Sequence, residues 1–440
     1  MILIYTPRVT NRIQYIVKFL IGEICGFDYA VTSSSDDFIK FKGAKINYSE
    51  RKFPGKYIRI YPSGFLIEKG VREFTPQMKI HDDYPVLFPV EENQECDLGY
   101  DLFASAFYLV SRYEEYLPFL EDRYGRFEAD QSFAYQNGFL DVPLIDIQTL
   151  ELKSRLSAEF NLPSMQTSRK FTFIPTYDID IAYAYKGRGL SRNTLAIMKD
   201  IVTFDFKNLK DRLKVLTGKM HDPYDTYEFQ LWLQKKYNLN PVYFFLSARY
   251  GPRDKNISIH SKHFFHLIKK LGDYAETGIH PSFASNYKKQ RLLEEIKTLA
   301  NVSNSNIVKS RQHYLKISLP QTYVDLIRYN ILSDYSMGFA SHTGFRASTC
   351  TPFHFFNLTE ETETRLKVYP LTVMDSTLIK YMKLDTMQAR TKIKSLIERI
   401  KKVDGTFISL WHNDTLSNTA LSKGWKDVYV YLIDEATRKN

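Results

Sequence analysis

Two aspartates close an apolar run: Phe171-Thr172-Phe173-Ile174 leads into Thr176-Tyr177-Asp178-Ile179-Asp180. On extended chain, residues two apart point to the same side, with Cβ atoms roughly 6 to 7 Å apart. Such a pair can divide labour. One carboxylate binds a cation, and the other, held ionised beside that charge, accepts a proton. Alone, an Asp-x-Asp at a strand-to-helix loop is more simply a turn former or a helix cap.

Four further segments carry groups that could join it. Thr277-Gly278-Ile279-His280-Pro281-Ser282 puts a histidine on a loop, where it is placed to ligate a metal that favours mixed His and carboxylate sets. Ser310-Arg311-Gln312-His313-Tyr314 puts Arg311 and His313 on one face of a strand. Gly344-Phe345-Arg346-Ala347-Ser348 is a glycine-led turn with an arginine able to pair with a carboxylate. Ile408-Ser409-Leu410-Trp411-His412-Asn413 is a late apolar strand ending in histidine. Each has a bland structural reading, and their shared placement at strand ends is what raises them.

The elements that must hold these groups alternate. Strand-like runs at Phe171–Thr176, Pro241–Leu246, Glu276–His280, Val308–Leu315, Tyr335–Phe339 and Thr406–Trp411 are separated by helical patterns such as Tyr287–Ala300 and Thr386–Lys402. That layout predicts an α/β barrel with its chemistry at the strand C-termini. Before it, residues 1–165 predict an α+β accessory domain: a strand at Ile2–Tyr5, an amphipathic helix bearing Ile13, Ile16, Val17, Leu20 and Ile21, and short alternating runs. The stretch 161–168 reads as a linker, so residues 166–440 form the second domain.

In this order the segments resemble the polysaccharide deacetylase (NodB-homology) family. Thr176 to Asp180 is similar to its early Thr-Phe-Asp segment, His280-Pro281-Ser282 to its histidine segment, Gly344 to Ala347 to its arginine segment, and Leu410-Trp411-His412 to its late Leu-x-His. The resemblance covers about residues 168 to 430. It implies a distorted (β/α)7 barrel, a divalent metal with zinc foremost, and hydrolysis of an N- or O-acetyl group on a sugar. Residue by residue, it implies Asp178 as general base, Asp180 and His280 as metal ligands, Arg346 orienting Asp178, and His412 as general acid. The implied metal polarises the acetyl carbonyl and activates a water. The family's second segment carries two histidines, and here position 284 is alanine. Either His313 supplies the third ligand or metal binding is lost, because an open catalytic site needs about three protein ligands. Loss would leave a carbohydrate-binding protein that keeps the barrel without the catalysis.

Composition bounds the partners. The chain has 440 residues, 44% hydrophobic and 25% charged, as in soluble globular proteins. Its net charge of +10 is dispersed among acidic neighbours, so Lys207-Asn208-Leu209-Lys210 reads as a solvated helix face and no nucleic-acid module accompanies it. Arg12, Lys18 and Glu23 interrupt the N-terminal apolar stretch, which therefore reads as neither signal peptide nor transmembrane segment. Three dispersed cysteines form no disulfide or zinc pattern and fit a reducing, cytoplasmic setting. There the expected substrate is an acetylated sugar or glycan intermediate, nucleotide- or lipid-linked. His260, His263 and His266 read as a solvated helix face, and Tyr113 to Tyr116 as a helix surface. Asp375 reads equally as a partner of the site or a helix cap, His342 as a reserve ligand, and Cys350 as no nucleophile.

Overall fold

The computed structural model describes residues 1–81, 83–162, 169–417, 419 and 422–438. Its first part carries a four-stranded sheet of β1 (Ile2–Tyr5), β2 (Tyr29–Thr32), β3 (Ala44–Asn47) and β4 (Ile58–Arg59), in the order β2-β1-β3-β4. Every pairing in it is parallel, so this part is wound α/β rather than the expected α+β. The reason is visible in β1, which is apolar throughout, and in β3, which is buried on both faces although it carries Lys45 and Asn47, as two-sided parallel strands are. A hairpin of β5 (Met78–His81) and β6 (Tyr84–Leu87) follows. Phe65–Ile67, in the stretch of short alternating runs, forms a 3-10 turn behind Gly64.

The second part is a nine-stranded sheet. Its strands are β7 (Thr172–Ile179), β8 (Val242–Phe245), β9 (Glu276–Ile279), β10 (Lys309–Ser310), β11 (Ser333–Asp334), β12 (Phe353–Asn357), β13 (Thr362–Val368), β14 (Val373–Met374) and β15 (Thr406–His412). The order is β12-β13-β11-β10-β9-β8-β7-β15-β14, parallel except for the β12–β13 pair. The sheet curls. Leu371 N–H donates to the Met337 carbonyl beyond β11, and the next residue, Thr372, donates to Ile408 in β15. One run of chain therefore links the two sides of the sheet.

Alternation in β7, β8 and β15 decides what points inward. Ile174, Val242, Phe244, Ile408 and Leu410 join Tyr335, Leu371 and Met374 in a separate apolar cluster inside the curl. Tyr177 points outward, stacks on Tyr243 at 4.9 Å, and shares a hydrogen bond with Tyr429 of the helix Trp425–Thr437. Thr176 and Asp178 therefore face the same interior as Ile174. The outer core is continuous with the first part: Phe356 of β12 packs on both Tyr15 and Phe107 at 5.1 Å. Two expected strands are shorter or displaced. Val308–Leu315 is a strand only at Lys309–Ser310, because Tyr314 and Leu315 turn the chain with φ of 62° and 52°. Tyr335–Phe339 lies beyond β11 and continues as irregular chain. The expected linker at 163–168 and the 165/166 boundary lie outside the described residues.

Candidate metal centre and active site

Parallel register places His412 opposite Asp178 across β15 and β7. Asp178 is 2% exposed at the floor of a cavity of about 460 Å³, and Asp180, one step past the strand end, is 29% exposed at its side chain. Three imidazoles converge on Asp180. His280 Nε2 lies 3.1 Å from Oδ1, His313 Nε2 3.6 Å from Oδ2, and His412 Nε2 3.7 Å from Oδ2.

The far nitrogen of each ring fixes its tautomer. His280 Nδ1 is 2.5 Å from the Arg311 carbonyl, which only accepts, so Nδ1 carries the hydrogen. His313 Nδ1 donates to Asp254 at 3.0 Å, and His412 Nδ1 donates to Asp375 at 2.7 Å. In its neutral form each ring would aim the Nε2 lone pair at a carboxylate that is itself an acceptor, so either a proton on Nε2 or a cation must lie between them. That arrangement calls for positive charge between them. Asp180, His280 and His313 can each offer one atom, with all three atoms within 4.8 Å of one another. Asp180 Oδ1 and Asp178 Oδ1 are buried and lack a hydrogen-bond donor. A divalent cation fits this donor set, the Asp and His mixture that zinc and its neighbours favour.

The ionisations agree in sign. Burial pushes the Asp180 carboxyl up, but the neighbouring His313 and His280 overcome this and hold it well below the usual range. For His313, burial opposes the charged form, yet Asp180 and Asp254 raise it to about 9. For His412, Asp375 first and then Asp180 and Asp178 outweigh burial and raise it to about 10. The same His412 contact lowers Asp375, whose carboxylate also accepts from the His412 amide at 2.8 Å and from Thr415.

The arginine beside Asp178 is Arg311. Its Nη1 lies 3.8 Å from Asp178 Oδ1, its Nη2 donates to Thr176 at 2.9 Å, and its guanidinium lies 5.1 Å over Phe244. Arg346 is elsewhere. Gly344, with φ of 119°, lies so close to the Leu140 carbonyl that any Cβ would strike it, and Phe345 N–H donates to that same carbonyl. The turn is thereby fastened to the first part of the chain, and Arg346 forms a two-pronged pair with Glu115 at 2.8 and 2.5 Å. Arg112 shares Glu115 at 2.7 Å. The assignment of Arg346 to Asp178 is therefore corrected, as is the surface reading of Tyr113 to Tyr116, where Tyr113 and Glu115 are buried. Arg346→Met is expected to destabilise the fold by about 3 to 5 kcal/mol, because it leaves Glu115 buried beside one cation instead of two. Thermal unfolding with metal content measured in parallel checks this, and a loss of metal without a drop in stability contradicts it.

His342 lies outside this centre, against Tyr135 at 4.9 Å, and His260, His263 and His266 are exposed. Cys350 is buried and its thiol is pushed up by burial, in keeping with an inert residue. Sequence reading missed Asp254, whose carboxylate accepts from both His313 and the Phe283 amide. It also missed a wall supplied by the first part of the chain: Arg123, Tyr124 and Arg126 line the cavity. Tyr124 stacks on Tyr314 at 4.8 Å, and Arg126 donates to the Tyr314 carbonyl at 2.8 Å. Lys316 donates to the carbonyls of Tyr124 and Gly125, and packs where a Cβ on Gly125 would stand.

Residues 2–161 match a family model described as a family of unknown function (DUF7033). No curated protein matches the chain. Among solved structures, a Mycobacterium smegmatis protein that carries the name polysaccharide deacetylase shares 10% identity at a TM-score of 0.41, covering 63% of this chain and 87% of its own. PuuE allantoinase shares 10% identity at 0.38, with 62% and 86% covered. A CE4-family pseudoenzyme from Bacillus anthracis shares 11% at 0.25, with 49% and 63% covered. At these scores the likeness does not decide the chemistry, which rests on the side chains.

Proposed function

We propose that this chain is a metal-dependent deacetylase that removes an acetyl group from an acetylated sugar or glycan intermediate. One observation supports it above the others: three imidazoles, each with Nδ1 held by an acceptor behind the ring, aim Nε2 at Asp180 beside a second buried carboxylate. In this reading Asp180, His280 and His313 hold the ion, zinc most readily, and the curled sheet is a distorted (β/α)7 barrel in which 362–374 counts as one strand position. Residues 1–165 act as a unit that completes the cavity wall. When bound, the ion supplies Lewis-acid polarisation of the acetyl carbonyl and lowers the pKa of a coordinated water.

The protein's own groups do the rest. Asp178 accepts the proton of the attacking water, and Arg311 beside it orients that carboxylate. His412 enters the reaction as an imidazolium and delivers its Nε2 proton to the leaving nitrogen or oxygen. Asp375 fixes the ring through Nδ1 and stabilises its charge. Tyr124 and Tyr314 offer aromatic surface beside a cavity large enough for a sugar ring. The cytoplasmic setting inferred from the cysteines favours a nucleotide- or lipid-linked sugar precursor.

Elemental analysis of the purified protein together with hydrolysis of acetylated sugars tests this. One ion per chain, lost in Asp180→Ala and His280→Ala along with turnover, supports the enzyme. A metal-free protein that still binds sugar sinks it in favour of the carbohydrate-binding reading. A pH effect follows from His313. In the cation-free protein it is raised to about 9 and so carries a proton at neutral pH, which a ligating imidazole must surrender. Binding is expected to release about one proton from this residue, and apparent affinity to rise up to about tenfold per pH unit until His313 is neutral. Calorimetry in buffers of different ionisation enthalpy measures this, and an affinity independent of pH removes His313 from the ligand set.

A further inference from the structure

Between β7 and β8 the chain inserts a hairpin of two helices, Leu190–Val202 and Phe206–Leu216. What holds it together is polar. Asp200 pairs with Arg212 at 2.9 Å, Asn208 donates to Asp200 at 2.9 Å, and Arg212 lies 4.9 Å over the Tyr185 ring. Asp200 is the only buried residue of the first helix, and Arg212 and Val215 those of the second. The apolar stripe faces outward instead. Leu195, Met198 and Val202 recur at helical spacing and are 66%, 54% and 76% exposed, and Phe204 and Phe206 at the tip are 77% and 60% exposed. A surface helix of a globular protein normally does the reverse. A contiguous apolar face of this kind on a soluble chain marks a docking surface.

Charge says what docks. From Arg188 to Lys219 there are eight Lys and Arg against three Asp, a surplus of five out of the chain's net +10. Lys199, Lys207, Lys210, Lys214 and Lys219 are all exposed around the stripe. A second copy meeting this face would set like charges against one another. An anionic bilayer takes both features at once, with apolar side chains below the headgroups and lysines among them. No helix among the described residues is long and apolar enough to cross a membrane, so attachment is to the surface. We propose that the hairpin 190–216 anchors the protein to anionic lipid headgroups. Arg192 ties the anchor to the segment that carries Asp254, lying 3.9 Å over the Tyr250 ring and donating to the Asn256 carbonyl.

Sedimentation of the full chain with vesicles of phosphatidylcholine, with and without phosphatidylglycerol, tests this. Wild type is expected to sediment with the anionic vesicles and to be released by salt. The combined K207Q, K210Q and K214Q variant is expected to lower the partition coefficient about a hundredfold, at roughly fivefold per lysine. V202E, F204E and F206E together are expected to abolish binding, while circular dichroism, metal content and turnover of a soluble acetylated sugar stay unchanged. The proposal is overturned if wild type ignores anionic vesicles, or if the lysine variant binds as wild type does. It is also overturned if analytical ultracentrifugation without lipid shows a dimer that the glutamate variant dissociates. The sedimentation and ultracentrifugation readouts, which decide the proposal, do not depend on the catalytic reading.

Discussion

Asp178→Asn is expected to lower kcat for acetyl hydrolysis by about 10²- to 10⁴-fold while leaving the metal content of the protein intact. Asparagine keeps the shape of the side chain and removes its ability to take a proton. Asp178 is suited to that role by position: it faces the curl interior from β7, 2% exposed, and its Oδ1 has no hydrogen-bond donor. Asp180, one step further, faces three imidazole nitrogens, so Asp180→Asn should cost the ion as well as turnover. The two variants thus separate base from ligand. Arg311→Met completes the comparison. Without the guanidinium, Asp178 loses the side chain that orients it, so kcat is expected to fall while the metal content stays intact. If Asp178→Asn loses the ion, or keeps wild-type turnover, the division of labour between the two aspartates is wrong.

Much of this was legible because strand residues obey a period of two. The run Phe171 to Ile174 announced β7, and the Asp-x-Asp spacing placed Asp178 and Asp180 on the same side. Apolar alternation in Ile408 to Leu410 likewise announced β15 and brought His412 to a strand end. Position 284 as alanine pointed to His313 as the replacement ligand, and the folded chain does bring its Nε2 to Asp180. The arginine was misassigned because a glycine turn and an arginine say nothing about which buried acid they meet. Glu115 lies 231 residues earlier in sequence than Arg346, and only tertiary packing joins them. Asp254 and the Arg123 to Arg126 wall were missed for the same reason. They sit in irregular chain with no period to read, and their partners come from distant segments. The hairpin hid differently: its periodicity is that of any amphipathic helix, and periodicity does not report which face the fold turns inward.

Asp375→Asn is expected to pull the basic limb of the kcat/KM profile down from the high value that the wild-type His412 sustains, toward the ordinary imidazole value of about 6.5. The sign follows from the order of effects at His412. Burial alone would favour the neutral ring, and the Asp375 carboxylate is the largest influence that reverses it, raising His412 to about 10 in the cation-free protein. An acid raised this way is competent below that value and lost as pH rises through it. A bound cation offsets the contributions of Asp180 and Asp178, but Asp375 lies behind the ring, on Nδ1 at 2.7 Å, and its contribution persists. With asparagine there, the imidazole at neutral pH is largely deprotonated and its tautomer is no longer dictated, so turnover at pH 7 is expected to fall by about 10²-fold. Lowering the pH should restore part of it. The bell-shaped profile therefore narrows from its basic side, whereas a purely structural role for Asp375 would lower the whole profile without moving either limb. His412→Ala should flatten the basic limb altogether. A profile for Asp375→Asn with the wild-type basic limb would show that His412 is not the proton donor, and the late strand β15 would then serve only to wall the cavity.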